Sequence, residues 1–143
     1  MNRPLLRVSA AIGVVILLAG CSTPNGLAAF QRATTTEDHL LPGIELPDKP
    51  GLEKVRLLAD VDGVRYYAAQ AESRALTCLV KVPNAEVGTL AAGSANSLGT
   101  GQIITISGMD GTAATLVADG FETGELEAQG WRKIHQNVLF GLR

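Results

Sequence analysis

Along the C-terminal two thirds of the chain, apolar residues recur at every second position. Val55, Leu57, Ala59 and Val61 form one such row, and Val64 to Ala69, with Tyr66-Tyr67, forms the next apolar run. A period of two places alternate side chains on one face of a β-strand. Asp62-Gly63 lies between the two runs, and a two-residue Asp-Gly loop favours a type I′ hairpin because both residues tolerate positive φ. Asp60-Val61-Asp62-Gly63 is therefore read as a hairpin turn, not as a calcium loop, which needs further oxygen ligands and a closing Glu. In Ala75 to Val82, Leu76, Cys78, Val80 and Val82 share one face and Ala75, Thr77, Leu79 and Lys81 the other. Pro83-Asn84 ends that run, and Val87 to Asn96 is compatible with a strand or a loop. Gln102 to Ser107 has β-branched residues at four of six positions and predicts a strand.

Asp110-Gly111 predicts a turn into Thr112 to Ala118, and Asp119-Gly120 predicts another turn after it. Glu122 to Gln129 reads as a solvated loop or one helical turn. Trp131 to Leu142 reads as a last strand, with Ile134, Val138 and Phe140 on one face and Lys133, His135 and Asn137 on the other. Strands spaced about ten residues apart with Asp-Gly turns predict a mainly β fold. The expected architecture is a single antiparallel β domain over residues 52–143, a sandwich or small barrel of about six or seven strands.

The preceding segment has no such period. Pro24, Gly26, Pro42, Gly43, Pro47, Pro50 and Gly51 interrupt residues 22–51. Thr34 to Asp38 carries a Thr three residues before an acid, a pattern that caps a short helical turn. Residues 21–51 are expected to be a mostly irregular, flexible tether with a reach on the order of 30 Å.

The first twenty residues have a third character. Arg3 and Arg7 precede Val8 to Gly20, which holds no charge. A basic start followed by a short apolar run is the layout of a secretory signal peptide. A spanning helix needs roughly 20 apolar residues, more than this run supplies. The run ends Leu18-Ala19-Gly20-Cys21, which resembles the lipobox of bacterial lipoproteins. That resemblance implies cleavage between Gly20 and Cys21, a diacylglyceryl group on the Cys21 thiol and a further acyl chain of the palmitate type. Two or three chains make a stable anchor where one gives marginal binding. The expected location is the extracytoplasmic face of the cell membrane. Ser22 after the cysteine implies the outer membrane if the source has two membranes.

Composition changes this picture in three places. The chain has 143 residues and a formal net charge of −2. Without Arg3 and Arg7, 10 Lys and Arg stand against 14 Asp and Glu, a net charge of −4. No basic cluster exists to neutralise phosphates, which argues against nucleic-acid binding and against a second electrostatic grip on anionic lipid. With Cys21 lipidated, Cys78 is the one thiol left, and its strand face makes it a small core residue. His39 and His135 are too few and too far apart in sequence to suggest a metal site, and no cofactor is expected.

Known catalytic patterns are not found. Gly99-Thr100-Gly101 is followed by Ile104 where a dinucleotide fingerprint requires Gly, and neither a phosphate-binding Gly-x-x-x-x-Gly-Lys loop nor a Gly-x-Ser-x-Gly elbow occurs. Glu122, Glu125 and Glu127 read as a wet acidic surface. Tyr67, Phe121 and Trp131 are the candidate binding surface, since large side chains of this kind are enriched where proteins meet partners. Core or edge packing is the plainer role for them.

The order of short motifs resembles small uncharacterised lipoproteins and membrane-anchored proteins of actinobacteria. It comprises Phe30-x-Arg32 with Thr35, Asp38 and Leu41-Pro42, then Asp62-Gly63-Val64, Thr77-Cys78-Leu79-Val80, Asp119-Gly120-Phe121 and Gly130-Trp131. The resemblance implies location and no reaction. It also implies a second cysteine about fifteen residues after Cys78, where this chain reads Gly93-Ser94-Ala95. The functional expectation is a non-catalytic binding or accessory module with an envelope protein or cell-wall ligand as partner. The alternative is an envelope hydrolase built on His135 or the acidic residues.

Overall fold

Two four-stranded antiparallel sheets form the body of the protein in the computed structural model, which describes residues 26–44, 46, 51–71, 76–83, 91–95, 101–108 and 111–142. The first sheet is a meander of β1 (Leu52–Val61), β2 (Val64–Ala71), β3 (Thr77–Pro83) and β4 (Ala91–Ala95). The second contains β5 (Gln102–Ser107), β6 (Thr112–Val117), β7 (Arg132–His135) and β8 (Val138–Leu142) in the order β5-β6-β8-β7. A five-residue helix, α1 (Gly124–Ala128), lies on the crossover from β6 to β7. The mainly β expectation is met, by two sheets sharing a core and without barrel closure.

The alternation of apolar residues explains how the sheets meet. On β2, Tyr66 and Ala68 join Leu58, Leu79, Ile106, Ala114, Leu116 and Val138 in the core shared by both sheets. Tyr67 and Ala69 point the other way, with Cys78, Val80 and Val82. β3 is buried on both faces, so both of its predicted rows are core rows.

β1 departs from the expected single row. A register shift between Leu57 and Ala59 inserts one extra residue against β2. A bulge of this kind reverses the phase of alternation. Val55 and Leu57 therefore pack on the outer cluster, while Ala59 and Val61 reach the core between the sheets. Beyond the bulge, Asp62 (φ 53°) and Gly63 (φ 74°) form the expected two-residue turn, closed by the Val61–Val64 pair.

The run Trp131 to Leu142 is a hairpin and not one strand. Gln136 and Asn137 turn β7 into β8. Side-chain hydrogen bonds, and no glycine, hold this turn. Asn137 is fully buried; its Nδ2 donates to Val117 O (3.1 Å) and Asp119 Oδ1 (2.7 Å). Its backbone N–H donates to His135 Nδ1 (3.2 Å).

The expectation of a flexible tether over residues 21–51 is corrected for the part described. Leu27 is 2% exposed and Phe30 is buried, both in the core between the sheets. Leu40, Leu41, Ile44 and Leu46 pack on the outer face of the first sheet, against the cluster of Tyr67, Ala69, Cys78, Val80 and Val82. The first sheet needs cover on its second face, and Leu40, Leu41, Ile44 and Leu46 supply it by burying apolar area. Pro42 and Gly43 break regular structure without preventing that packing.

Asp38 ties this strap to β1. It closes a short 3-10 turn (Thr36–Asp38) and is 3% exposed. Arg32 Nη1 and Nη2 donate to its two oxygens at 2.6 and 2.7 Å. The Thr35 N–H (2.8 Å) and the Leu57 N–H of β1 (2.8 Å) donate to the same carboxylate. Arg32 also donates to Leu57 O (3.2 Å), and the buried Arg56 donates to Arg32 O (3.2 Å). The paired Arg32 guanidinium, with the backbone amides of Thr35 and Leu57, holds the Asp38 carboxyl well below the usual carboxylate range against the opposing effect of burial.

Candidate functional site

A cavity of about 180 Å³ opens at one end of the two sheets. The β1–β2 hairpin contributes Val61, Asp62, Val64 and Tyr66; β3 contributes Lys81 and β6 Thr112. Arg132, Ile134 and Phe140 complete it from β7 and β8. These positions follow from strand parity. Lys81 sits on the row of Thr77 and Leu79, which faces the second sheet, and Arg132 pairs directly with Phe140 across β7 and β8. The walls are apolar through Val61, Val64, Ile134 and Phe140, while the polar groups converge from three strands.

Lys81 is 6% exposed, and its ammonium donates to Thr112 Oγ1 at 2.5 Å across the gap between the sheets. Burying a charge is costly unless it is hydrogen-bonded, so Lys81 has a defined position. Arg132 stands at the rim, donates to Asp62 Oδ2 (3.0 Å) and lies 5.6 Å from the Phe140 ring centroid. The Arg132–Asp62 pair is exposed on both sides. Exposed pairs contribute about 0–1 kcal/mol, so this rim can open at little cost. An engineered apolar cavity of about 150 Å³ holds a benzene ring. The present cavity therefore has room for one small ring or one side chain, well below the size of a drug-like ligand site.

The residues singled out from sequence fall elsewhere. Gly20 and Cys21 lie outside the described residues. Tyr67 is 0% exposed and belongs to the outer core cluster, which corrects its place on a binding surface. Alternation explains the error: Tyr66 and Tyr67 face opposite sides of β2, and both sides are covered. The Arg65 guanidinium is close enough to the Tyr67 hydroxyl for it to help raise Arg65's own pKa, together with Asp60, yet no hydrogen bond of good geometry reaches that hydroxyl.

Phe121 and Trp131 are half-buried and flank the crossover that carries α1. Trp131 stacks where a side chain on Gly141 would be, with ring atoms 3.1–3.3 Å from that position. Phe121 likewise closes on Gly101, at 3.3 Å. The three aromatics thus form no single patch. Lys81, Thr112 and Arg132 carry no motif, and only their shared strand end brings them together.

His135 is half-buried, and that burial lowers its pKa, with Asp119 acting in the opposite direction. Its Nδ1 accepts the Asn137 N–H of the tight turn. Asp119 uses Oδ1 for Asn137 and Oδ2 for the Ala28 N–H (2.6 Å). His135 thus holds the β7–β8 turn, and Asp119 joins that turn to the segment at Ala28. Glu122, Glu125 and Glu127 are exposed around α1, and Thr123 Oγ1 donates to Glu127 Oε1 at 2.5 Å. Among the described residues no three His, Cys, Asp or Glu side chains are grouped to hold a metal ion, and no helix is long and apolar enough to cross a membrane. Cys78 is buried in the outer cluster, and burial pushes its thiol pKa up. The chain matches no family model, no curated protein and no solved structure.

Proposed function

We propose that this protein is a lipid-anchored, extracytoplasmic binding or accessory module. It is held by acyl chains on Cys21 and uses the Lys81–Arg132 cavity to seat a small group of an envelope protein or cell-wall ligand. The observation that carries the binding part is the cavity itself. It combines apolar walls with a buried cation of fixed position and a rim ion pair that opens cheaply. Its volume suits a single anchoring side chain or ring, and a filled pocket of that kind at the centre of an interface supplies much of the affinity of a partner. The anchor part is supported by Arg3 and Arg7, the uncharged run Val8 to Gly20 and the sequence Leu18-Ala19-Gly20-Cys21. The hydrolase alternative has less support, since the Asn137 N–H occupies His135 Nδ1 and both Asp119 oxygens accept from Ala28 and Asn137.

A photo-crosslinking side chain placed at Arg132, on the cavity rim, and at Glu125, on α1, tests the reading in the anchored protein. An adduct that forms at position 132, does not form at 125 and is lost when Phe140→Ala reshapes the cavity is the expected result. Substrate turnover by the purified domain, abolished by His135→Gln in a variant that keeps its stability, would replace this proposal with the hydrolase.

A further inference from the structure

We infer that the bilayer-facing surface is the end of the sandwich carrying the Asp119–Phe121 turn, Gly101 and the Gln136-Asn137 turn, and that the Lys81–Arg132 cavity opens at the opposite, membrane-distal end. This rests on the proposed lipidation of Cys21 and adds to it the orientation of the molecule and the partner of one face, a phospholipid headgroup surface.

The length of chain between anchor and packed body sets the geometry. Gly26 O accepts the Asp119 N–H (3.3 Å), the Ala28 N–H donates to Asp119 Oδ2 (2.6 Å), and Leu27 between them is buried in the core. The chain is thus pinned to the body from Gly26 onward. Cys21 to Gly26 is five residue steps, which span at most about 18 Å even when fully extended. The pinned end is therefore held near the headgroups, in contrast to the reach of about 30 Å expected of a thirty-residue coil.

The same hydrogen bonds identify what surrounds the pinned point. Asp119 bonds Asn137 of the β7–β8 turn, and the Ala118 N–H donates to Gly101 O (2.9 Å) ahead of β5. β6 runs from Thr112 at the cavity to Val117 beside this end. β8 runs from Val138 to Leu142, which pairs with Thr112, and β7 runs from Arg132 at the cavity to His135. Five steps of strand separate Thr112 from Val117, about 17 Å at the rise of a strand. The cavity is thus further from the lipid by about that length and samples the aqueous side.

The near end presents Gly120, Glu122 and Gln136 as exposed residues and a half-buried Phe121, with no basic cluster among the described residues there. The short link, not charge attraction, keeps it at the headgroups.

The test uses the full lipidated chain, extracted in detergent and returned to phosphatidylcholine vesicles containing a nitroxide-headgroup lipid. A fluorophore is attached at one of four introduced cysteines: Gln136→Cys or Glu122→Cys near the pinned end, Leu142→Cys or Asp60→Cys near the cavity. Cys78 is buried, and the Cys21 sulfur carries the lipid. Quenching several-fold stronger at 136 and 122 than at 142 and 60 is expected. Quenching that is equal at all four sites, or stronger at the distal pair, in a chain whose mass includes the lipid overturns the orientation alone. A chain without the added lipid mass overturns the anchor and the orientation together.

Discussion

Asp38 accepts hydrogen bonds from Arg32, Thr35 and Leu57, and through them it joins the strap to β1. Asp38→Ala leaves the Leu57 and Thr35 N–H groups and a cation without their acceptor. Arg32 is partly exposed and can rehydrate, so the loss is expected at about 2–3 kcal/mol, at the low end for a broken buried pair. Urea unfolding at neutral pH checks it. The sign with pH follows from the depressed pKa. The Asp38 contribution is fully present above the unfolded value of about 4 and fades as pH falls below it, so the wild-type chain should lose stability there more steeply than Asp38→Asn.

His135 acts at higher pH. Its folded pKa is lowered by burial, so the unfolded chain binds the proton more readily. Stability should fall as pH drops through about 6.5, the unfolded value, and His135→Gln should remove that dependence. Unfolding midpoints at pH 7.5 and 5.5 decide it. At this scale the sequence showed which residues stand out and not what they do. Phe30, Arg32, Thr35 and Asp38 were visible as a motif, but a carboxylate that bonds across 19 residues to Leu57 leaves no periodic trace.

Elements were legible where periodicity and turn chemistry agreed. The Asp62-Gly63 hairpin and the Leu76-Cys78-Val80-Val82 row follow directly from alternation and positive φ. The β1 bulge and the β7–β8 turn were hidden for one reason. Each is stabilised by tertiary partners, Asp38 on the Leu57 N–H and Val117 and Asp119 on Asn137, and neither carries the glycine that marks a local turn. Register gives a further prediction. Cys78 lies directly opposite Ser94 in the β3–β4 pair, the place where the resemblance implies a second cysteine. Cα atoms of directly paired residues are about 4.5–5.5 Å apart, within disulfide range. Ser94→Cys should oxidise to a Cys78 disulfide, seen as a loss of two hydrogens by mass, and should raise stability by roughly 2–4 kcal/mol in a manner reversed by reductant. On the outer side of β8, Gly141→Ala places a methyl about 3.1 Å from the Trp131 ring. A cost of about 1–2 kcal/mol with a shift in tryptophan emission is expected.

At the scale of the whole molecule, a strap packs on two sheets, and the proposed anchor adds a short link to the membrane. Both faces of β3 are buried because Leu40, Leu41, Ile44 and Leu46 cover the outer face of the first sheet. Cys78 lies under that cover, so a polar thiol reagent should label it only at the rate of unfolding, and labelling should speed up in Asp38→Ala. Fold class was legible because alternation and Asp-Gly turns are local signals. The cavity was not, because Lys81, Thr112 and Arg132 belong to different strands and meet only through sheet order. The central claim is that the chain ends at a lipid on Cys21, close beneath a packed body. Intact mass spectrometry of the protein extracted from the membranes of its own cells tests it most directly. A chain beginning at Cys21 and carrying a diacylglyceryl group is the predicted result. A chain that keeps Gly20 and carries no lipid would contradict it.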